Sequence, residues 1–197
     1  LQYAFALSKY EWTEYSQAKW YLRRMATDFR LGIPSNIFTM VDVKYRHTVN
    51  YKGLLHTNLN GEVVWARPAY YAVSHMASLL TPQMKADGEL AYKTPSKKSL
   101  SVLAVSKDGC RVGVLVWQKG EIPSDSISQE KLDLTVSGLA LKDPVWVEPV
   151  TGRICELEKW SVKGGSMNFK GLPVWDSPVF IMERAEVPSV SGESGNQ

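Results

Sequence analysis

The sequence lacks several features that define common classes of protein. Its 197 residues include only two cysteines, too few for a disulfide-stapled scaffold. No apolar run approaches the roughly 20 residues that a membrane helix needs. Hydrophobic residues make up 44% and charged residues 22%, which excludes disordered, collagen-like and coiled-coil chains. No Gly-rich phosphate loop, paired-cysteine zinc site, His-Glu-x-x-His motif or Gly-x-Ser-x-Gly elbow is present.

The sequence also lacks a large excess of positive or negative charge. The formal net charge is +3, and up to Pro82 there are 9 Lys and Arg against 5 Asp and Glu, a balance of +4. The remainder has 14 against 15, a balance of −1. Neither part contains a basic stripe along the sequence, so we expect no nucleic-acid partner and no membrane partner.

The two cysteines and the start of the chain leave the cellular compartment open. Cys110 and Cys155 both fall in segments that read as strands, so they are either two buried free thiols or one disulfide. The chain starts at Leu1 without an initiator Met or a signal-peptide layout. We therefore expect a fragment or a processed chain.

The first 82 residues have the alternating pattern of an α/β protein. Apolar residues at three- and four-residue spacing predict a helix over residues 13–31, with Thr13 as the N-cap. Residues 37–43 are mostly apolar, which predicts a strand buried on both faces. A polar and aromatic loop over residues 44–66 leads to a second helix with Pro68 in its first turn.

From about Met84 onward, apolar and polar residues tend to alternate with a period of two. Seven apolar stretches predict strands, and Asp108-Gly109 and Thr151-Gly152 are typical hairpin turns. The stretches cover residues 100–104, 112–116, 132–136, 145–150, 153–157, 167–169 and 179–182. This spacing indicates an antiparallel β-sandwich. Residues 187–197 have almost nothing to bury, which predicts a disordered tail.

Chemistry-bearing residues concentrate at the end of the predicted strand and on the loop that follows it. Asp42 and Lys44 either hydrogen-bond a hydroxylated ligand or pair with each other. His47 and His56 either line a site or face water, because loops after strands commonly carry function. Among seven tryptophans, Trp65 is best placed to stack on a sugar ring. Those in or beside the predicted strands are more typical of core packing.

The carboxylates show no catalytic pair. Glu11 and Glu14 are three residues apart at the start of a predicted helix and share a face. The positive end of the helix dipole stabilises their charged form, which suits solvated capping acids better than a general acid.

Several stretches together resemble clan-A glycoside hydrolases. The first, QAKWYLRR over residues 17–24 with LGIP over 31–34, resembles the seventh helix of their (β/α)8 barrels and the turn before the eighth strand. The second, GLL over 53–55 with RPAYYAV over 67–73, resembles the passage into the last helix. Residues 144–153 and 171–178 resemble the β-sandwich that often follows such barrels. Families 5 and 39 and their relatives share these features.

The resemblance implies the last strand-helix unit of a (β/α)8 barrel over residues 1–82, followed by a β-sandwich over residues 83–186. It implies hydrolysis of O-glycosidic bonds by a retaining mechanism with two Glu residues, both upstream of Leu1, and no metal or organic cofactor. Secretion or a periplasmic location would be in keeping with such a family.

Under this resemblance the chain supplies substrate contacts rather than catalytic groups. The loop after the eighth strand lines the sugar site, so the expected contacts are Asp42, Lys44, Tyr45, His47 and His56. Tyr45 stands in for the aromatic residue that many relatives place at the end of that strand. The partners implied are a carbohydrate and either the missing barrel segment or a second chain that completes the barrel, and the chain alone would be inactive. The rival interpretation is a non-catalytic carbohydrate-binding or scaffolding β-sandwich.

Overall fold

The computed structural model describes residues 13–120, 122–126 and 130–188. Two helices occur in this part of the chain, α1 (Glu14–Leu31) and α2 (Pro68–Leu79). Thr13 caps α1 by accepting hydrogen bonds from the backbone N–H groups of the first turn, and Gly32 ends it in the left-handed conformation with φ of 67°. Pro68 occupies the first turn of α2, as the sequence predicts.

Two short hairpins connect the helices. The first pairs β1 (Val43–Lys44) with β2 (Val49–Asn50), and the second pairs β3 (Leu55–Thr57) with β4 (Val63–Ala66). The segment that the sequence predicts as a continuous loop thus contains four strands. They are too short and too polar to show a clear period of two.

The predicted buried strand over residues 37–43 differs from the structure. Residues 39–42 run parallel to residues 54–55, with Leu55 N donating to Met40 O at 2.8 Å, but only Val43 belongs to a regular strand. Phe38 and Met40 are 63% and 56% exposed, so the prediction of burial on both faces is wrong for the described residues. The physical reason is that the described part of the chain supplies a pairing partner on one edge only.

The rest of the chain forms two antiparallel sheets. Ten strands follow α2: β5 (Met84–Glu89), β6 (Tyr92–Lys93), β7 (Leu100–Lys107), β8 (Cys110–Gln118), β9 (Glu130–Ser137), β10 (Pro144–Glu148), β11 (Arg153–Glu156), β12 (Trp160–Lys163), β13 (Ser166–Val174) and β14 (Val179–Glu183). Six strands pair in the order β11-β10-β14-β8-β7-β5, and four in the order β12-β13-β9-β6. All seven predicted strands are present, together with β5, β6 and β12.

The layers enclose two apolar cores. One core lies between the two helices and the six-stranded sheet, where Leu22 and Met76 meet Leu115 and Phe180. The other lies between the two sheets and includes Trp146. The inner strands of the six-stranded sheet are therefore buried on both faces, and most of β14 is apolar and buried.

A buried ion pair fastens α1 to the sandwich. The Lys19 ammonium is almost completely buried, donates to Asp176 Oδ1 at 2.7 Å and also donates to the backbone carbonyls of Ser124 and Ser126. Asp176 additionally accepts from the backbone N–H of Ser124 at 2.6 Å. Burial alone would raise the pKa of Asp176, but the hydrogen bonds from Lys19 and Ser124 lower it below its usual value.

Other expectations from the sequence have mixed outcomes. Cys110 and Cys155 are free thiols, but Cys110 is exposed because it opens β8 directly after a hairpin turn. The predicted tail begins with a described residue, Val187, just after a short 3-10 helix over Arg184–Glu186, and residues 189–197 lie outside the described part. No helix in the described residues is both long enough and apolar enough to cross a membrane.

Candidate functional site

The Asp42 carboxylate is the centre of a polar cluster between the two helices. Its Oδ1 accepts from the backbone N–H of Gly53 at 3.0 Å, and its Oδ2 accepts from the backbone N–H of Thr57 at 3.2 Å. Arg67 adds a two-pronged contact, with Nη1 at 2.7 Å from Oδ1 and Nη2 at 3.1 Å from Oδ2. Such a paired arrangement holds both groups in one plane.

Arg67 is buried at the start of α2, with 3% of its surface exposed. It stands at the N-cap position, where short polar residues are preferred, and its side chain makes no capping hydrogen bond. Instead it turns inward and also donates to Gly53 O at 2.6 Å and to Glu14 Oε1 at 2.8 Å. Arg67 therefore connects the start of α2 to the start of α1 and to Asp42.

Asp42 and Arg67 each stabilise the charged form of the other. Burial alone would raise the pKa of Asp42, but the hydrogen bonds from Arg67 and from the Thr57 amide outweigh it, so the pKa lies below its usual value. Burial alone would lower the pKa of Arg67, and the two carboxylates of Asp42 and Glu14 raise it instead. Both groups are ionised at neutral pH.

His56 is held against this pair by its Nδ1 atom. Nδ1 lies 2.8 Å from Asp42 Oδ2 and 2.9 Å from Arg67 Nη2. A guanidinium can only donate, so Nδ1 cannot both donate to Asp42 and accept from Arg67. The contact with the carboxylate is the shorter of the two and is charge-assisted, which favours Nδ1–H donating to Asp42, with Arg67 Nη2 beside the ring but not bonded to it. In the neutral ring Nε2 then carries the lone pair, and within the described residues no protein group bonds to it.

Two exposed aromatic rings flank His56. The centroid of the Trp65 ring lies 3.9 Å from the centroid of the His56 imidazole. The centroid of the Tyr51 ring lies 6.0 Å from the same imidazole centroid. Tyr51 and Trp65 are 52% and 47% exposed. The Trp65 Nε1–H points to Glu14 Oε1 at 3.4 Å, which restrains the ring. We call Tyr51, His56 and Trp65 the aromatic patch.

A cleft of about 260 Å³ adjoins the aromatic patch. Its lining includes Asp42, Lys44, Tyr51 and Thr57 together with the tip of the β3–β4 hairpin. Lys44 Nζ donates to Leu59 O at 3.3 Å and so links the two hairpins across the cleft. Aromatic rings beside a few fixed polar groups are typical of a site that binds a small polar ligand.

The structure brings together some of the residues that the sequence predicts as substrate contacts. Asp42 and His56 are hydrogen-bonded partners, and Lys44 borders the same cleft. Tyr45 and His47 lie in the exposed turn between β1 and β2, and the described residues show no side-chain contact from them to the cluster. A substrate role for these five residues stays a prediction.

Arg67 and Glu14 are the members of the cluster that the sequence analysis does not single out as site residues. The available signal for Arg67 is its anomalous position, since a long basic residue directly precedes the first-turn proline of a helix. Glu14 is interpreted as a solvated capping acid, whereas it bonds Arg67. In the described residues, the Asp42 cluster included, no three His, Cys, Asp or Glu side chains converge in a way that would hold a metal ion.

Comparison with known proteins shows a similar fold among solved structures. No protein-family model matches the sequence, and no curated protein matches it. Among solved structures, a family 39 glycoside hydrolase from the gut symbiont Bacteroides cellulosilyticus WH2 matches with a TM-score of 0.51 and 17% sequence identity. The alignment covers 85% of this chain and 30% of that chain. This chain has a fold similar to part of a family 39 glycoside hydrolase.

Proposed function

We propose that this chain is part of a glycoside hydrolase and that its aromatic patch binds a sugar ring. The observation that carries this proposal is the placement of His56 between a buried, ionised carboxylate at 2.8 Å and the exposed Trp65 ring at 3.9 Å. The fold similarity to a family 39 glycoside hydrolase supports the same class of protein.

Each member of the site has a distinct role in this proposal. The exposed part of Trp65 stacks on the apolar C–H face of a sugar, as aromatic rings commonly do with such surfaces. His56 accepts a hydrogen bond from a sugar hydroxyl through Nε2, because Asp42 occupies Nδ1. Asp42 and Arg67 are positioning residues that fix the imidazole, and Asp42 also lines the cleft beside the aromatic patch.

The catalytic carboxylates of the proposed hydrolase lie outside this chain. A retaining mechanism requires two carboxyl groups roughly 5–5.5 Å apart, one as nucleophile and one as acid and base. The two carboxylates of the described site, Asp42 and Glu14, are both engaged by Arg67 and are unsuited to those roles. The exposed apolar side chains of Phe38, Met40 and Val41 support a further strand that packs beside residues 39–42. This chemistry calls for no metal or organic cofactor.

An activity assay tests the hydrolase. The longer polypeptide that contains this segment and the 197-residue chain alone would be incubated with p-nitrophenyl glycosides of pentoses, hexoses and uronic acids. We expect the longer polypeptide to release nitrophenol and the chain alone to release none. Trp65→Ala in the longer polypeptide should lower kcat/KM by about tenfold, since stacking on an aromatic ring is worth on the order of 1–2 kcal/mol. Trp160→Phe, which replaces a tryptophan of the four-stranded sheet and keeps its packing against the sandwich core, controls for the loss of a tryptophan outside the aromatic patch.

The rival function is a carbohydrate-binding module without catalysis. The observation that favours it is that both site carboxylates bond to Arg67, so that the described residues include no free acid at the cleft. Sugar binding that depends on Trp65, without hydrolysis by the longer polypeptide, would select this alternative. Neither binding nor hydrolysis would refute both.

A further inference from the structure

The four-stranded sheet presents its outer face to solvent far from the aromatic patch. Leu132, Leu134 and Val136 of β9 point into the sandwich core, so the alternate residues of β9 point outward. The same alternation and the strand register bring side chains from β6, β12 and β13 onto this face. They include four lysines, which define what we call the lysine face: Lys93, Lys131, Lys163 and Lys170.

A polar row crosses the middle of the lysine face, with one residue from each strand. The register places Ser161 opposite Asn168, Asn168 opposite Thr135, and Thr135 opposite Lys93. Neighbouring strands are about 4.8 Å apart, so these side chains recur at that interval across the sheet. Thr135 Oγ1 donates to Asn168 Oδ1 at 2.8 Å, which orients the Asn168 amide N–H₂ group as a remaining donor.

The charge on this face is unbalanced. Lys170 pairs with Asp133 at 2.8 Å, but among the described residues Lys93, Lys131 and Lys163 have no carboxylate partner. Four lysines and one aspartate give +3 on this face, although residues 83–197 as a whole carry −1. Positive charge is therefore concentrated on one surface of a nearly neutral segment, which favours association with an anion.

The lysine face is also concave in part. A cleft of about 320 Å³ lies over the polar row, lined by Lys93, Thr94, Asp133, Thr135, Asn168 and Lys170. It thus combines lysines with hydroxyl and amide groups, and its lining includes a single aromatic residue, Phe169, whose side chain is buried in the sandwich core.

We propose that the lysine face binds an acidic polysaccharide, a polymer of sugars with carboxylate or sulfate groups. Lysines at both ends of the polar row would pair with the acidic groups, while Asn168, Thr135 and Ser161 would hydrogen-bond sugar hydroxyls. Single-stranded nucleic acid is less suited, because the face offers no exposed aromatic ring for base stacking. The proposal goes beyond the sugar site, since it concerns a different sheet.

A binding assay on the 197-residue chain tests the proposal. Binding to polygalacturonate, heparin, neutral dextran and a DNA oligonucleotide would be measured at the same ionic strength, with heparin and polygalacturonate as sulfated and carboxylated probes. The test variant is Lys93→Gln/Lys131→Gln/Lys163→Gln. The matched control, Arg46→Gln/Lys85→Gln/Lys142→Gln, removes the same charge from exposed positions outside the four-stranded sheet. All six positions are exposed, and circular dichroism would verify folding.

The proposal predicts that the chain binds at least one acidic polysaccharide and does not bind dextran. The test variant should weaken that binding by roughly 3- to 150-fold, the range expected for the loss of three exposed ion pairs, and the control should leave it nearly unchanged. Equal loss in both variants, absence of binding, or tighter binding to DNA than to either acidic polysaccharide would overturn it. Trp65→Ala should not affect this binding, so failure of the lysine face and failure of the sugar site are separable.

Discussion

The replacement Arg67→Met should destabilise the protein strongly. The change removes the guanidinium from a side chain that is 3% exposed and that holds Asp42, Glu14 and the Gly53 carbonyl. It leaves the Asp42 carboxylate buried and without its cationic partner, and loss of one member of a buried ion pair costs about 3–5 kcal/mol. We expect the free energy of unfolding, measured by urea denaturation with circular dichroism detection, to fall by this amount.

A double-mutant cycle separates the ion pair from the loss of packing. Asp42→Asn keeps the side-chain volume and an acceptor oxygen for one of the two backbone N–H groups, but it removes the other oxygen and the charge that Arg67 neutralises. In the double variant with Arg67→Met no buried charge is left unpaired, so its cost should be smaller than the sum of the single costs by about 2 kcal/mol. A single Arg67→Met cost below about 1 kcal/mol, or strict additivity, would refute the reasoning.

Three further predictions concern the rest of the fold. Lys19→Met should lower the free energy of unfolding by about 2–3 kcal/mol, because Asp176 and two carbonyls lose a charged donor; urea denaturation measures it. The pKa values of Asp42 and Asp176 are lower in the folded state than in the unfolded chain. The two carboxylates therefore stabilise the folded state above the unfolded pKa near 4, and this stabilisation is lost as pH falls through the folded pKa values. The urea midpoint should therefore drop in that acidic range, and less so in Asp42→Asn/Asp176→Asn. Gly152→Ala should cost about 1–3 kcal/mol in urea denaturation, because φ is +74° and the new Cβ would lie 2.7 Å from His75 Cε1. An unchanged midpoint in Lys19→Met or Gly152→Ala, or the same acid sensitivity in both proteins of the pH comparison, would contradict the respective prediction.

The helices and the sandwich were predictable because their signals are local. Thr13, Gly32 and Pro68 mark helix ends through their own side chains and backbone preferences, and the structure has them in those roles. The seven predicted strands are short stretches that either alternate in hydrophobicity, as β9 does, or are apolar throughout, as most of β14 is. By contrast, β5 (Met84–Glu89) is a polar edge strand with a glycine, so its sequence carries no such alternation.

The strand over residues 37–43 shows where local reasoning fails. An apolar run indicates burial, but burial requires neighbouring strands, and the described residues pair this segment on one edge only. Its apolar side chains are consequently exposed. A short sequence window contains no information about whether the covering partner is part of the same chain.

The site was predictable in part for a related reason. Asp42 and His56 were predicted as site residues because Asp42 lies at the end of a predicted strand and His56 lies on the loop that follows it. Their direct hydrogen bond depends on the parallel pairing of residues 39–42 with residues 54–55, which places the backbone of Gly53 and Thr57 around the same carboxylate. Arg67 reaches Asp42 across 25 positions of sequence, and only the three-dimensional arrangement shows that contact.

The most direct test of the sugar site is an NMR titration of the Trp65 indole. The Nε1–H resonance would be assigned by comparison with Trp65→Phe and followed during addition of neutral mono- and oligosaccharides to the 197-residue chain. The account predicts a saturable shift of this resonance with at least one sugar, abolished or strongly weakened by His56→Ala. A Trp65 resonance that does not move while sugars bind elsewhere, or that moves equally in His56→Ala, would contradict it.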